Sequence, residues 1–308
     1  MFTTPILFIV FNRPQETQIV FDEIKKIKPK YLYLAADGPR ANKEGEKALC
    51  LEVKEIINLI DWDCELKTLF REYNLGCKYA VSQAIQWFFD DVESGIVLED
   101  DCVPAPSFFT YCEELLKKFK EDERIGIITG RNENYKFNNS QTYDFSTSGS
   151  IWGWASWKRV IKNYNVDDKN LIKNFKENIY QATLDNFEKN RLYHQLKWTF
   201  DGHLNTWDYQ FHTMLKLNSY LYVVPKQNLI KNIGFSNNAT HTTSIQDKRA
   251  HAKLGNVNFP MSHPNYIFPN RVLSKAMVKA DSNNYFLFQF LIFNFWLKDK
   301  KIRSNESK

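Results

Sequence analysis

The spacing of apolar residues changes period repeatedly along the first hundred positions. Pro5–Phe11 is an unbroken apolar run, and Gln15–Ile27 then places Ile19, Val20, Ile24 and Ile27 at helical spacing. A short unbroken run reads as a strand buried on both faces, and a 3.6-residue spacing reads as a helix lying on it. The pattern recurs. Lys30–Ala36 predicts a second strand, and Glu44–Ile60 a second helix with Leu49, Val53, Ile56, Ile57 and Ile60 on one side. Glu65–Phe70 predicts a third strand, about 78–89 a third helix, Gly95–Leu98 a fourth strand, and Pro106 the start of another helix. This β-α-β-α order predicts a doubly wound parallel sheet with right-handed crossovers.

Beyond Phe119 the pattern is less regular. Arg124–Thr129 predicts a strand ending in the polar turn Gly130-Arg131-Asn132-Glu133-Asn134. The Asn- and Ser-rich stretch 138–150 reads as a loop or sheet edge, and Trp152-Gly153-Trp154-Ala155-Ser156-Trp157 as the opening of a mostly helical region reaching about residue 218. Leu221–Pro225 predicts a late strand, and 236–265, with three histidines among Asn, Thr and Ser, a loop or lid. Tyr285–Leu297 is a last, almost wholly apolar helix candidate. With no repeat and no strong linker, residues 1–270 read as one composite domain. Residues 271–308 form a basic, aromatic-rich helical tail.

Chemistry enters at the strand ends. The fourth strand runs into Glu99-Asp100-Asp101, which puts three carboxylates at the edge where open α/β sheets bind ligands. Adjacent carboxylates repel, so they call for a cation, and oxygen-only donors suit Mg²⁺ or Mn²⁺ with phosphate oxygens in the remaining positions. An acidic turn ahead of the helix at Pro106 is the plainer alternative. Asn12-Arg13 ends the first strand and Asp37 the second; an arginine fork suits a phosphate or a base, and an aspartate accepts from a base or ribose. Lys78, at a helix start after Asn74-Leu75-Gly76-Cys77, is placed to reach a phosphate or else is a solvated lysine. Trp154 offers a sugar platform or a core residue. His241 offers a loop contact to the metal or diphosphate.

Other features narrow the class. No Gly-x-Gly-x-x-Gly follows the first strand and no Gly-x-x-x-x-Gly-Lys-Ser/Thr occurs, which disfavours dinucleotide oxidoreductases and phosphate-loop enzymes. The net charge of +5 lies wholly in 271–308, so the body balances and general nucleic-acid binding is not expected. Five cysteines without metal-type spacing read as reduced thiols of a cytoplasmic protein. No secretory leader is evident, since the run at Ile6–Phe11 is too short, and no stretch reaches the ~20 apolar residues of a membrane span. The apolar segment 285–297 with its flanking lysines suits either the inner membrane face or packing on the body or a second copy.

The run Ile96-Val97-Leu98-Glu99-Asp100-Asp101-Cys102-Val103-Pro104-Ala105-Pro106-Ser107-Phe108-Phe109 resembles the Glu-Asp-Asp segment of the N-acetylglucosaminyltransferase I family. Phe11-Asn12-Arg13 resembles that family's first-strand motif, whose arginine contacts the nucleotide, and Ala36-Asp37-Gly38 its second-strand motif, whose aspartate contacts uridine. The turn at 130–134 resembles its Asn-rich turn, and Trp207-Asp208 its Trp-Asp motif, which carries the base. Phe-Asn-Arg-Pro, Asp-Gly-Pro-Arg and Asn-Leu-Gly-Cys-Lys are similar to motifs of a bacterial group of sugar transferases, so a bacterial relative is expected. The chain departs in lacking a second acid after Asp208 and a membrane stem, and in its tail.

The resemblance implies a GT-A fold, a Rossmann-like, mostly parallel sheet flanked by helices with a mainly helical acceptor side. It also implies a nucleotide-sugar half at 1–130 and an acceptor half at 131–270. The implied activity is inverting, metal-dependent transfer of a sugar from a nucleotide diphosphate such as UDP to a glycan or lipid-linked glycan. Asp101 would bind Mn²⁺ or Mg²⁺, Glu99 and Asp100 would orient sugar and ribose, and Asp208 would be the base. The alternatives are a sugar-nucleotide pyrophosphorylase, which expects a glycine-rich basic loop after strand one, and a non-catalytic carbohydrate-binding protein.

Overall fold

The computed structural model describes residues 1–133, 135–179, 186–235 and 252–280. The candidate His241 and the segment 285–297 lie outside the described residues.

The first hundred residues build the expected doubly wound unit. Strand β1 (Ile6–Val10) is buried at every position and pairs in parallel with β2 (Tyr31–Ala36) and β4 (Ser94–Glu99), while β3 (Glu65–Phe70) pairs in parallel with β2 at the edge. Helix α1 (Pro14–Ile27) begins with Pro14, whose fixed φ suits the first helical position, and it buries Thr17, Val20, Phe21 and Ile24 on one face. Helix α2 (Glu46–Lys54) tightens into a 3₁₀ turn at Glu55–Leu59, so the predicted single helix is two pieces. Helix α3 (Gly76–Asp91) returns the chain to β4.

The second half completes one eight-stranded sheet in the order β3-β2-β1-β4-β8-β6-β9-β7. Helix α4 (Pro106–Lys118) leads to β6 (Ile125–Thr129), and β7 (Tyr143–Ser146) forms the far edge within the stretch read as loop or edge. Strand β8 (Trp154–Trp157) corrects the sequence reading, since this run was expected to open the helical region. It lies antiparallel between β4 and β6 instead, with all four residues buried. Gly153, at φ +65°, makes the turn into β8 from Trp152. The helices begin only afterwards, with α5 (Lys158–Ile161), α6 (Asn170–Asn174) followed by a π-helical turn at Phe175–Ile179, α7 (Asn186–Phe200) and α8 (Asp208–Leu217). Strand β9 (Leu221–Pro225) then joins the sheet beside β6 and β7.

One core runs through the sheet and its helices, and a smaller cluster of Leu171, Phe175, Ile179, Leu192 and Leu196 holds α6 against α7. Unforeseen in the sequence is a two-stranded antiparallel ribbon of β5 (Cys102–Pro104) and β10 (Ile230–Asn232). Helix α9 (Arg271–Ala280), at the start of the tail, docks against β7: Ser274 Oγ lies 3.2 Å from Ser146 Oγ and accepts from Thr147 N at 3.1 Å. All five cysteines are free thiols, and no helix among the described residues is long and apolar enough to cross a membrane.

Candidate active site

A cavity of about 590 Å³ opens where β1, β2 and β4 end. It is lined by Phe11, Asn12 and Arg13 after β1, Asp37 after β2, Glu99, Asp100 and Asp101 after β4, and Asp208 at the start of α8. Four groups of residues, from Phe11 to Asp208, are thus brought to one space. The parallel strands do this, because they all present their carboxyl ends on the same side.

The acids are not left to repel one another. The Arg13 guanidinium contacts Asp100 Oδ1 through Nη2, reaches Asp100 Oδ2 from Nε at 3.3 Å, and donates from Nη1 to Asp101 Oδ2 at 3.0 Å. Cys102 Sγ lies 3.3 Å from Asp101 Oδ1. Arg13 was expected to meet the nucleotide; its fork is engaged by carboxylates, so a phosphate would compete with Asp100 and Asp101 for it. Glu99 has no hydrogen-bond partner among the described residues, and its carboxyl is pushed well above the usual range by burial and then by Asp101 and Asp100. Burial also raises Asp100, against the pull of Arg13.

Asp101 is further fixed by the ribbon. Its carbonyl accepts from Ile233 N at 2.8 Å, and Gly234 lies directly over its side chain. A Cβ on residue 234 would sit 2.8 Å from Arg13 Nη1 and closer still to Asp101 Oδ2. Gly234→Ala is therefore expected to displace the Arg13–Asp101 pair and to cost about 1–3 kcal/mol, as overpacking does. Thermal melting of the variant checks this, and a melting temperature equal to that of the parent would show that the ribbon yields freely.

The neighbouring strand ends are also held from within the protein. Asp37 (7% exposed) accepts from Gly38 N, Leu75 N, Gly76 N and Asn74 Nδ2 at 2.9 to 3.2 Å, so it anchors the turn into α3. Both its oxygens accept from the protein, and the residue also lines the cavity, so a ribose or base donor would share an oxygen already held by the turn. Asn12 Nδ2 donates to Glu46 Oε1 at 2.9 Å, and Glu46 (2% exposed) also accepts from Arg40 N at 2.7 Å. Phe11 borders the cavity with Arg40 over its ring, 5.6 Å from the centroid. Lys78 does not line the cavity. Its Nζ donates to Asp167 Oδ1 at 2.6 Å and sits over the Tyr79 ring.

Trp154 is likewise not on the cavity wall. It is 1% exposed and packs between Phe89 and Trp207, so it is a core residue; Trp152, two positions earlier, borders the cavity with the Arg131 guanidinium over its ring. In the Asn-rich turn, Asn132 Nδ2 donates to the carbonyls of Tyr135, Pro225 and Lys226, while Glu133 borders the cavity. Asp208 stands apart from these. Thr206 Oγ1 and Tyr209 N hold Oδ1 at 2.5 and 2.9 Å, while Oδ2 has no hydrogen-bond partner among the described residues.

Several cavity residues escaped the sequence reading. Arg71, at the end of β3, lines the space half-buried. At the other end, Glu188, Arg191 and Gln195 form a buried polar stripe on α7. Lys216 pairs with Glu188 and donates to Ser148 Oγ at 2.9 Å and Thr147 O at 3.1 Å. Positions 188, 191 and 195 carry a helical period, but of polar residues, and only an apolar period signals burial in sequence.

Among the described residues no group of three or more His, Cys, Asp or Glu is assembled to hold a metal ion by itself. The donor set nevertheless fits a hard divalent cation that takes one or two carboxylates and completes its shell with substrate phosphates and water. When ionised, Glu99, Asp100 and Asp101 carry three negative charges against the single positive charge of Arg13, and of the two acids that Arg13 clamps Asp101 has the more exposed side chain, at 15% against 4% for Asp100.

No protein-family model matches this sequence, and the search of curated proteins found no significant match. Among solved structures, the chain is similar to a mannosyltransferase from Pyrobaculum calidifontis in complex with GDP-Man and Mn²⁺, at 11% identity over 71% of this chain and 70% of that one, with a TM-score of 0.39. It is similar also to a 4-diphosphocytidyl-2C-methyl-D-erythritol synthase from Anaerococcus prevotii, at 11% identity over 64% of this chain and 84% of that one, with a TM-score of 0.30. Likenesses this slight carry no argument about the chemistry of this chain.

Proposed function

We propose that this protein is a GT-A-type glycosyltransferase that moves a sugar from a nucleotide diphosphate, UDP by resemblance, to an acceptor hydroxyl with inversion, in bacterial surface glycan synthesis. The observation that supports the reading is that Glu99-Asp100-Asp101 and Asp208 line one cavity at the strand ends. Asp101 is the residue that would hold Mn²⁺ or Mg²⁺, which when bound offsets the charge of the departing diphosphate. Asp208 Oδ2 takes the proton of the acceptor hydroxyl; the freed oxygen attacks the anomeric carbon as the bond to the diphosphate oxygen breaks. Glu99 borders the donor sugar and Arg13 holds Asp100 and Asp101 in place. Trp152, rather than Trp154, presents a ring to the bound sugar. His241 and the segment 236–250 are proposed to close over the donor and exclude water, a competing acceptor.

The loop after β1 argues against a pyrophosphorylase, because Phe11-Asn12-Arg13-Pro14 lacks glycine and its one cation is tied to the acids. Incubation with a panel of nucleotide sugars, with and without Mn²⁺, tests the reading through slow hydrolysis of the donor. Asp101→Asn is expected to abolish both turnover and Mn²⁺-dependent UDP binding while keeping the fold, since it relieves like-charge repulsion. Unchanged Mn²⁺–UDP affinity in calorimetry would exclude Asp101 as the ligand. Synthesis of nucleotide sugar from a nucleoside triphosphate and a sugar phosphate would establish the pyrophosphorylase instead, and binding with no turnover a non-catalytic protein.

A further inference from the structure

Beside the edge strand β7 lies a second hollow of about 440 Å³ that shares no lining residue with the donor cavity. It is a shallower and more open depression than the donor cavity. Its walls combine Asn139, Gln141, Asp144 and Asn270 with the rings of Tyr266 and Phe268. These rings are 83% and 72% exposed, among the most exposed large hydrophobic side chains described.

The segment that carries them is pinned at both ends. Thr142 N donates to Ser262 O at 2.8 Å and Ser262 N to Thr142 Oγ1 at 2.9 Å. At the other end Asn270 N donates to Phe145 O at 2.8 Å, and Pro269 bridges to Phe145. Between the rings, Ile267 packs against the core. Tyr266 and Phe268 therefore flank one partly buried anchor, Ile267, on a segment fastened at both ends. The two exposed rings, two positions apart, present an apolar face at the wall of the hollow.

The polar lining says what kind. The Gln141 side-chain oxygen, Oε1, is buried with no hydrogen-bond partner among the described residues, a costly arrangement that a turn of the amide toward a ligand donor in the hollow would relieve. Asp144 is oriented by Asn270 Nδ2 at 2.9 Å. The lining holds one acid and one cation, Asp144 and Arg271, so its charge is balanced. Rings for an apolar C–H face, planar amides for rows of hydroxyls and no net charge suit one chemistry, that of a neutral sugar. A lipid surface would call for a cluster of cations.

We propose that this hollow is a binding site for a neutral oligosaccharide, separate from the donor cavity and independent of the transferase reading. Calorimetric titration of the full-length chain with glucose, mannose, galactose and N-acetylglucosamine oligomers, without nucleotide or divalent ions, tests it. At least one series is expected to bind, and Tyr266→Ala, Phe268→Ala and Gln141→Leu are each expected to weaken that binding about tenfold. The two ring variants are expected to melt with the parent, because both side chains face solvent. Absence of binding across the panel overturns the proposal, and so does binding that all three variants retain. Concentration-dependent self-association that the ring variants lose would overturn it in favour of a protein interface. Asp208→Asn is expected to bind the oligosaccharide as the parent does, which separates failure here from failure of the transferase reading.

Discussion

Replacing Asp208 with asparagine is expected to lower kcat by about 10²–10⁴ while donor affinity stays within a few-fold. The amide keeps the shape and still accepts from Thr206 Oγ1 and Tyr209 N, which hold Oδ1 in place. What it loses is a basic second oxygen, the one that lacks a hydrogen-bond partner among the described residues. The expected signature is therefore a kcat effect with little change in the calorimetric affinity for the nucleotide sugar. Survival of kcat within a few-fold would move the base elsewhere. Glu133 is a poor substitute, since it pairs with the fully buried Arg131. Asp201 is bonded to Lys197 on the exposed end of α7. Glu99, which borders the cavity without a hydrogen bond, would then be tested next.

Arg13→Met is expected to be the most destabilising single change in the site. Methionine replaces part of the aliphatic stem but removes the only cation among the described residues in direct contact with Asp100, whose side chain is 4% exposed, and with Asp101. Removing one partner of a buried pair leaves an uncompensated charge, at a cost of about 3–5 kcal/mol, and the low end applies here because Arg13 keeps a quarter of its side chain in solvent. Chemical denaturation with fixed m-value checks this. The double variant Arg13→Met/Asp100→Asn should regain part of the loss, since it removes the stranded charge together with its partner. A double variant no more stable than the single one would show that Arg13 acts through packing.

Elements with a clean period were legible in the sequence, and elements fixed by distant partners were not. Strands β1, β2 and β3 and helices α1 and α3 fall where the apolar spacing put them, because each is built from its own residues and covers a neighbour in the chain. Strand β8 was hidden: Trp154-Ala155-Ser156-Trp157 is buried on both faces, so it shows neither a strand's alternation nor a helix's stripe. The ribbon of β5 and β10 joins segments over 120 residues apart and has no local signature at three residues per strand. In the site, sequence placed Asn12, Arg13, Asp37 and the acids at the right strand ends. It did not show their partners. Asp37 finds the amides of Leu75 and Gly76, and Asn12 finds Glu46, because α2 and α3 return to the same sheet edge. Those pairings are tertiary facts.

The antiparallel insertion of β8 has a consequence for how the molecule comes into being. Strands β3, β2, β1 and β4 are complete by residue 99 and are joined by successive crossovers of modest sequence separation, the kind of contacts that form early. Strand β4 then waits for β8, more than fifty residues on, before its second edge is covered, and β6 waits for the same strand and for β9. During synthesis from the N-terminus the acids can thus be set beside Arg13 well before Asp208 exists, and the insertion of four residues is the event that fuses the two halves. Until then β4 and β6 both present open edges, so the interval between residue 99 and residue 157 is the period in which the nascent chain is most exposed to pairing with a second copy of itself.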